Sequence, residues 1–267
     1  MNKPFLKWAG GKTKLCDKIN TILPKGNRLV EPFIGSGAVF LNTEYKEYYL
    51  ADTNSDLINT FNYVKNEGIE FINYVNDLFV PENNTKEKYL EFREVFNTTS
   101  DTRLKSALFI YLNRHCFNGL CRYNSKGKFN VPFGNYNKPY FPRTEMIFFF
   151  HKSKNATFVV SDFQNTLNST INGDVVYCDP PYVPLSDTSN FTSYSSGGFG
   201  IKEQEKLVEI SIKLKSNGIP VVISNHVTEW TMEHYKDGLI TEFDVQRNIS
   251  CKGNNRNKVK ELLVLFS

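Results

Sequence analysis

Four consecutive residues, Asp179-Pro180-Pro181-Tyr182, combine an acid, rigid backbone carbonyls and an aromatic ring. They follow the short apolar run Val-Val-Tyr-Cys at 175–178, which is typical of a buried strand whose carboxyl end opens into a cleft. Two consecutive prolines exclude a helix and remove backbone donors, so the carbonyl groups at this turn stay free as acceptors. The turn therefore presents a carboxylate, a fixed carbonyl and an aromatic face together.

These groups suit a planar ring that bears an exocyclic amine. The carboxylate of Asp179 and the carbonyl of Pro180 can each accept one N–H, while the ring of Tyr182 stacks on the plane. Adenine is such a ring. A polar turn that simply packs its tyrosine would have the same sequence, so the remaining motifs decide between the two interpretations.

A short glycine turn earlier in the chain indicates a site for a nucleoside. Residues 28–31 predict a strand, and the following Pro-Phe-Ile-Gly-Ser-Gly predicts a tight turn that enters a helix. Glycines at such a junction let a ligand approach the backbone and leave helix-terminal N–H groups exposed. Asp52 ends the next predicted strand, where doubly wound folds place a carboxylate that binds ribose. The third glycine of a dinucleotide fingerprint is missing, which favours a nucleoside.

In their order along the chain, these motifs resemble those of the N6-adenine DNA methyltransferases. The shared motifs are WAGGK at 8–12, EPFIGSG at 31–37 with an acid after the next strand, and DPPY at 179–182. The resemblance implies S-adenosylmethionine as the methyl donor and direct in-line transfer to N6 of an adenine that is turned out of the duplex, without a metal. It assigns the catalytic residues as Asp179, Pro180 and Tyr182, and the cofactor-binding residues as Trp8, Lys12, Phe33, Gly35, Ser36, Asp52, Asp162, Phe163 and Asp179.

The region after Asp52 interrupts the alternation of strands and helices. Apolar residues recur at helical spacing between about 57 and 112, which predicts helices. Basic, amide and aromatic residues then surround Gly119, and residues 127–134 predict a hairpin arm. Arginine can bond guanine at two atoms and an aromatic ring can fill a gap in a base stack, so this mixture suits DNA recognition. Packed aromatic residues with a surface arginine ion pair are the alternative that residue types alone leave open.

The same segment resembles the target-recognition region of Dam-type enzymes from bacteria and bacteriophages, which methylate the adenine of GATC. The similarity lies in NGLCRYN at 118–124 and FNVPFG at 129–134. It implies that Arg122 binds a guanine and that Phe117 wedges into the duplex. Phe117 and Asn135 stand where tyrosine and arginine are often found. With the basic clusters of the chain, the predicted DNA-binding residues are Lys7, Arg114, Phe117, Asn118, Leu120, Arg122, Pro132, Asn135, Arg247, Lys252 and Arg256.

Composition sets broader limits. The chain has 267 residues and a formal charge of +4, so it has room for one substantial core and is not a polycation. Five cysteines without a CxxC pair argue against a disulfide framework, and His115 and Cys116 beside Cys121 lack a second liganding pair for a metal. No apolar run approaches the length of a membrane span and no secretory signal is evident, so a soluble cytoplasmic protein is expected.

The predicted fold is α/β: a Rossmann-like S-adenosylmethionine-dependent methyltransferase sheet with an inserted, mainly helical DNA target-recognition subdomain. Residues 1–55 and 145–267 are predicted to form the catalytic domain, and 56–144 the recognition subdomain with its hairpin arm. Other expected elements are strands at 48–52, 156–160, 175–178, 219–225, 240–245 and 262–266, a helix at 203–214, and a lid or linker at 186–200. The expected partner is double-stranded DNA containing GATC, with no obligatory protein partner.

Two other functions remain open from the sequence. A methyltransferase that acts on RNA or on a protein glutamine can use a related motif, although asparagine is usual before Pro-Pro for glutamine. A DNA-binding module without catalysis would retain the basic loops, but the intact Asp52, Asp179 and Tyr182 argue against it. We interpret His226, which follows a predicted buried strand, as structural rather than as an acid–base group.

Overall fold

The structure is a computed structural model that describes residues 1–183, 199–246 and 258–267. Its strands are β1 (Arg28–Glu31), β2 (Glu47–Asp52), β3 (Ala156–Val160), β4 (Asp174–Cys178), β5 (Val221–His226), β6 (Leu239–Gln246) and β7 (Lys258–Phe266). Its α-helices are α1 (Cys16–Ile22), α2 (Ala38–Leu41), α3 (Ser55–Glu67), α4 (Ile69–Asn76), α5 (Lys86–Thr98), α6 (Thr102–His115), α7 (Arg143–Lys152), α8 (Phe163–Asn168), α9 (Ile201–Ser216) and α10 (Glu229–His234). Most of the predicted lid, and Arg247, Lys252 and Arg256, lie outside the described residues.

The strands form one mixed sheet in the order β3-β2-β1-β4-β5-β7-β6. The first five strands are parallel, whereas β7 runs antiparallel to both β5 and β6. Parallel strands need crossover connections, and helices supply them on the two faces of the sheet. The predicted Rossmann-like α/β class is therefore confirmed.

Alternate residues of the strands supply two cores, one on each face of the sheet. On β4, Tyr177 joins the core that includes residues of α1, α3, α6 and α7, whereas Cys178 joins the core that includes residues of α8 and α9. Leu29 and Val30 of β1 divide in the same way. Successive side chains of a strand point to opposite faces, so a strand covered on both sides is apolar throughout. The apolar runs in the sequence are explained by this double burial.

The strand order changes direction between β1 and β4, and this change places a crevice at one edge of the sheet. β2 lies on one side of β1 and β4 lies on the other, and the parallel strands all end at the same edge. Open α/β sheets form their ligand crevice at such a switch point. Since β1 ends in Glu31 and β4 leads directly to Asp179, two acids lie at neighbouring strand ends in this crevice.

Helices α3 and α7 pack on the sheet through aromatic rings that contact Phe158 of β3. The rings of Phe61 on α3 and Phe149 on α7 have centroids 4.8 Å apart, and Phe5 meets Phe149 edge-on at 5.0 Å. These rings belong to the same core as strand residue Leu29. The helical region is thus joined to the sheet by a continuous core, and the domain boundaries at 55/56 and 144/145 stay predictions.

The hairpin is centred earlier in the chain than predicted. An antiparallel bridge pairs Tyr123 with Phe129, so the turn lies at 124–127 and residues 127–134 supply only the second half of the hairpin. The side chain of Asn124 accepts two backbone hydrogen bonds of 3.0 Å from within the turn, and Gly127 has a φ of +70°. Asparagine and glycine favour such a turn, and this local signal fixes the register.

Removal of the N-terminal cap of α6 is expected to destabilise the protein. The carboxylate of Asp101 accepts hydrogen bonds from the backbone N–H groups of Arg103 at 2.9 Å and Leu104 at 3.0 Å. We expect Asp101→Ala to lower the free energy of unfolding by about 1 kcal/mol, because these donors lose their acceptor. Urea denaturation measures the change. The control Asp237→Ala removes an exposed acid that caps no helix, and an equal loss there would contradict the capping explanation.

Candidate active site

Asp179 lies at the head of the crevice in a buried ion pair with Lys12. The ammonium of Lys12 is 2.8 Å from Oδ1 of Asp179 and also donates to the carbonyl of Gly10 at 2.8 Å. The two side chains are only 8% and 21% exposed. Burial raises the pKa of Asp179, while the charge of Lys12 and its hydrogen bond act in the opposite direction. Lys12 therefore offsets part of the cost of burying an ionised carboxylate away from water.

Tyr182 is anchored by the strands next to the crevice. Its hydroxyl is bonded to the hydroxyl of Ser224 on β5 and donates to Oε2 of Glu261 on β7 at 3.3 Å. Its ring meets the ring of His226 edge-on, with centroids 4.6 Å apart, and the ammonium of Lys12 lies 4.7 Å from its centroid. A base that stacks on the face covered by Lys12 must displace that ammonium.

The two proline carbonyls of the turn differ in their partners. The carbonyl of Pro181 accepts a hydrogen bond of 2.6 Å from the side-chain amide of Gln204 on α9. No donor from the described residues bonds the carbonyl of Pro180, so it stays available as an acceptor beside Asp179. Nδ1 of His226 lies 3.0 Å from the carbonyl of Val183, just after the turn. This contact agrees with the structural role predicted for His226.

The glycine turn after β1 brings Trp8 and Asp52 together. Gly35 has a φ of +49°, and a Cβ atom at this position would lie 2.8 Å from Nε1 of Trp8. Oδ2 of Asp52 accepts a hydrogen bond from the N–H of Gly35 at 3.2 Å, and Oδ1 accepts one from Asn54 at 2.9 Å. Burial raises the pKa of Asp52 against the effect of these bonds. Ser36, the next residue of this turn, is buried.

Two phenylalanines form the far wall of this region. The rings of Phe33 and Phe163 are stacked with centroids 5.7 Å apart, and Phe199 meets both edge-on. Asp162 caps α8, since its oxygens accept hydrogen bonds from the backbone of Asn165 at 2.9 Å and from its amide at 2.6 Å. The bonds of Asp162 are thus local, and its predicted contact with the cofactor stays a prediction.

Glu31 is a site residue to which the sequence interpretation gave no role. It is 2% exposed, and Oε1 has no hydrogen-bond partner among the described residues. Burial, and then the nearby charge of Asp179, raise its pKa well above the ordinary value, while a hydrogen bond from the backbone of Phe40 acts in the opposite direction. Its position in EPFIGSG, directly before the proline at a strand end, was the available signal.

Several of the predicted recognition residues lie on the exposed surface after α6. Phe117 and Leu120 are 50% and 36% exposed, which is unusual for large apolar side chains. The guanidinium of exposed Arg122 donates to Oδ1 of Asn130 at 2.8 Å and to its carbonyl at 3.2 Å. Other predicted DNA contacts that are exposed or partly exposed in this region or beside it are Lys7, Asn118, Pro132 and Asn135.

Arg114 does not lie on this surface, so its prediction as a DNA contact is wrong. It is 8% exposed, and its Nε donates to the carbonyl of Phe5 at 3.0 Å, with a second, shorter contact from the terminal amino group. Burial lowers the pKa of the guanidinium. The sequence showed a basic residue in a basic region, but the tertiary contact directs it inwards as an anchor for the chain near Phe5.

Metal ligation finds no support in the part of the chain that the structure describes. No group of three or more His, Cys, Asp or Glu side chains there is arranged to hold a metal ion. His115 instead lies with Nδ1 2.8 Å from the carbonyl of Tyr111, and its ring stacks on that tyrosine. Within the same residues, no helix is long and apolar enough to cross a bilayer.

Replacement of Glu31 is expected to change how stability depends on pH. The folded protein holds a proton on Glu31 that the unfolded chain releases above its ordinary pKa of about 4.5, so the free energy of unfolding falls as pH rises towards the folded pKa. Glu31→Gln keeps the shape of the neutral acid and does not titrate. Relative to wild type, we expect it to gain stability by about 1.4 kcal/mol per pH unit within that window.

Urea denaturation at pH 4 and pH 7.5 tests this expectation. The gain from Glu31→Gln should be present at the higher pH and absent at the lower one. Glu82→Gln, at an exposed glutamate, is the matched control and should change the free energy of unfolding by less than about 0.5 kcal/mol. The same difference between Glu31→Gln and wild type at both pH values would contradict a neutral Glu31.

Comparison with known proteins agrees with this geometry. A sequence model of the D12 class N6 adenine-specific DNA methyltransferase family matches residues 8–249. The DNA adenine methylase of Escherichia coli (strain K12) is 50% identical over 265 residues, which cover 99% of this chain and 95% of that protein. The DNA adenine methylase of Serratia marcescens is 49% identical over 266 residues, which cover 99% and 98%.

Among solved structures, a precorrin 8w decarboxylase from Methanobacterium thermoautotrophicum is similar with a TM-score of 0.42 and 13% identity, covering 100% of this chain and 96% of that one. Similarity at this level supports no argument about activity. The whole-length sequence similarity does, and the motifs in the crevice lie within the matched residues. This chain therefore belongs to the D12 class of N6 adenine-specific DNA methyltransferases.

Proposed function

We propose that this adenine-specific DNA methyltransferase modifies the adenine of GATC in double-stranded DNA, after the base has been turned out of the duplex into the crevice. The observation that carries the proposal is the pair of acceptors at the DPPY turn. Asp179 lies 2.8 Å from the ammonium of Lys12, and the neighbouring Pro180 carbonyl has no donor from the described residues. Two acceptors side by side match the two hydrogens of an exocyclic amine.

The crevice fits the methyl donor of this class, S-adenosylmethionine. Gly35 turns the backbone with a left-handed φ of +49°, and Asp52 lies at the end of β2 where a ribose carboxylate is expected. The buried Oε1 of Glu31, which has no hydrogen-bond partner among the described residues, gives a further polar group for a ligand. We assign the cofactor to Trp8, Lys12, Phe33, Gly35, Ser36, Asp52, Asp162, Phe163 and Asp179. When bound, it supplies an electrophilic methyl group.

The residues of the DPPY turn prepare the amine for transfer. Asp179 and Pro180 accept one N6 hydrogen bond each, which holds the amine and leaves its lone pair directed away from these acceptors. Turning the base out of the stack costs a few kcal/mol, and stacking on Tyr182 returns about 1–3 kcal/mol of that cost. Before the base enters, the ammonium of Lys12 pairs with Asp179 in the buried site. No covalent enzyme intermediate is required.

We assign sequence choice to the exposed surface after α6. Arg122 has two of its five N–H groups bonded to Asn130, which fixes the plane of the guanidinium and leaves three donors for a guanine. Exposed Phe117 is assigned to the gap left by the turned-out adenine, and Leu120 and Pro132 to the thymine side. The relatives described above are DNA adenine methylases, which supports a DNA target for this surface.

Transfer of labelled methyl groups tests the reaction and the target. We expect label on a duplex that contains GATC and none on an otherwise identical duplex whose target adenine is replaced. Asp179→Ala should lower kcat by at least about 100-fold, as expected when one hydrogen-bonding group that acts in the transition state is removed, with little change in DNA affinity. Label on both wild-type reactions would overturn the GATC target, and normal kcat in Asp179→Ala would overturn its role.

A second substitution tests the recognition surface. Arg122→Ala should reduce discrimination between GATC and a duplex with a changed guanine by about 1–3 kcal/mol, because a bidentate contact is lost. Competition between the two duplexes in the methyl-transfer assay measures this ratio. Arg143→Ala, at an exposed arginine that begins α7, is the control and should keep the ratio of wild type. If Arg122→Ala keeps it as well, guanine is bound elsewhere.

A further inference from the structure

A buried side-chain amide joins the recognition surface to the chain that enters the active site. Asn113, near the end of α6, is 2% exposed. Its Oδ1 accepts a hydrogen bond from the N–H of Lys7 at 2.8 Å, and its Nδ2 donates to the carbonyl of Lys7 at 2.8 Å and to the carbonyl of Gly119 at 3.2 Å. Both backbone groups of Lys7 are thus bonded as an adjacent strand would bond them, and the amide also holds Gly119.

Lys7 and the loop at 117–120 are also in close side-chain contact. A Cβ atom on Gly119 would lie 2.4 Å from Cδ of Lys7 and 2.5 Å from its Cβ, so only glycine permits this approach. The ammonium of Lys7 lies 4.6 Å from the ring centroid of Tyr136, whose hydroxyl accepts a hydrogen bond of 3.0 Å from the N–H of Asn118. The loop therefore contacts Lys7 in two ways, directly through Gly119 and indirectly through Tyr136.

The residues after Lys7 lead directly to the methylation site. Trp8 packs on Gly35 of the glycine turn, and Lys12 lies 2.8 Å from Asp179. The residues from 5 to 12, called here the N-terminal segment, therefore lie between the recognition loop and the catalytic acid. Their start is fixed by Arg114, which bonds the carbonyl of Phe5 at 3.0 Å.

We propose that Asn113 is a positioning residue that couples DNA recognition to the methylation site. A displacement of the loop 117–120 by bound DNA is passed through Asn113 and Gly119 to Lys7, because close-packed contacts of this kind transmit shifts rather than absorb them. Lys7 then sets the placement of Trp8 and Lys12. The inference rests on the proposed function, since it takes the loop to contact DNA.

A purely structural role for Asn113 makes a different prediction. An amide that only satisfies the backbone of Lys7 would affect folding stability and would change catalysis by the same factor on every duplex. Coupling requires that the effect depends on the sequence of the DNA and that it is measurable at the cofactor side of the segment. The experiment below separates these two roles.

The chain offers a matched control for Asn113. Oδ1 of Asn97 accepts a hydrogen bond from the N–H of Phe129 at 2.8 Å, and Nδ2 of Asn97 donates to the carbonyl of Phe129 at 3.1 Å. This amide makes the same two-point contact with one residue, but its partner lies in the hairpin rather than in the N-terminal segment. Asn97→Ala therefore removes equivalent bonds without touching Lys7.

The test uses Trp8 as a reporter. The chain has two tryptophans, so Trp230→Phe leaves Trp8 as the single source of indole emission. With S-adenosylhomocysteine bound, we expect a GATC duplex to change Trp8 emission. A duplex that keeps the adenine but has a changed guanine, called here the changed duplex, should have little effect. Asn113→Ala in this background should abolish the change and lower kcat on GATC by at least tenfold, with less than a twofold fall on the changed duplex. Asn97→Ala should retain the emission change.

Gly119→Ala provides a second variant that leaves Asn113 intact. Its added methyl group displaces Lys7 from the other side, so it should also reduce the emission change, and it decides the matter if Asn113→Ala does not fold. The proposal is overturned if either folded variant keeps the full emission change, if Asn97→Ala loses it too, or if kcat falls equally on both duplexes. If the Trp230→Phe protein shows the emission change but transfers no methyl group, the proposed function is refuted instead.

Discussion

The site depends on one requirement, an ionised carboxylate inside a crevice that removes it from water. In the proposed reaction Asp179 has to stay an acceptor, yet burial raises its pKa, and the ammonium of Lys12 at 2.8 Å and a hydrogen bond with Tyr182 act in the opposite direction. A buried ion pair is stable only when its remaining donors are bonded, and the carbonyl of Gly10 takes one of those of Lys12. The docking of the N-terminal segment into the crevice is thus part of the proposed catalytic arrangement.

The topology of the sheet creates a second problem at the same place. Val30 of β1 pairs with Val176 of β4, so Glu31, the last residue of β1, and Asp179, which follows β4, reach the same edge. Two buried acids next to one cation do not both ionise at low cost. Lys12 pairs with Asp179, whereas the surroundings of Glu31 favour its neutral form. One acid is then an acceptor, and the other adds no competing charge.

The predicted recognition surface is attached to this crevice through helix α6. Two consecutive residues of α6, Asn113 and Arg114, bond the backbone of Lys7 and Phe5. Helix α6, which ends at the exposed loop, thereby also fixes the N-terminal segment that contains Trp8 and Lys12. Exposed Phe117 and Arg122 extend from this frame towards solvent, and the aromatic core behind it is shared with the sheet. The predicted recognition surface and the crevice are consequently joined by one continuous set of contacts.

The sequence by itself determined the strands, the two turns at the crevice and the helical character of the inserted region. Apolar periodicity, paired prolines and glycines act over a few residues, and so the DPPY turn, the glycine turn and Asp52 were identified at the correct strand ends. Tertiary structure alone decided that Arg114 is buried against Phe5, 109 residues away, and that Asn113 holds Lys7 across 106 residues. It also decided that Oε1 of Glu31 has no hydrogen-bond partner among the described residues and that Lys12 pairs with Asp179. Burial and charge pairing depend on which distant segments meet, and local sequence patterns contain no information about that meeting.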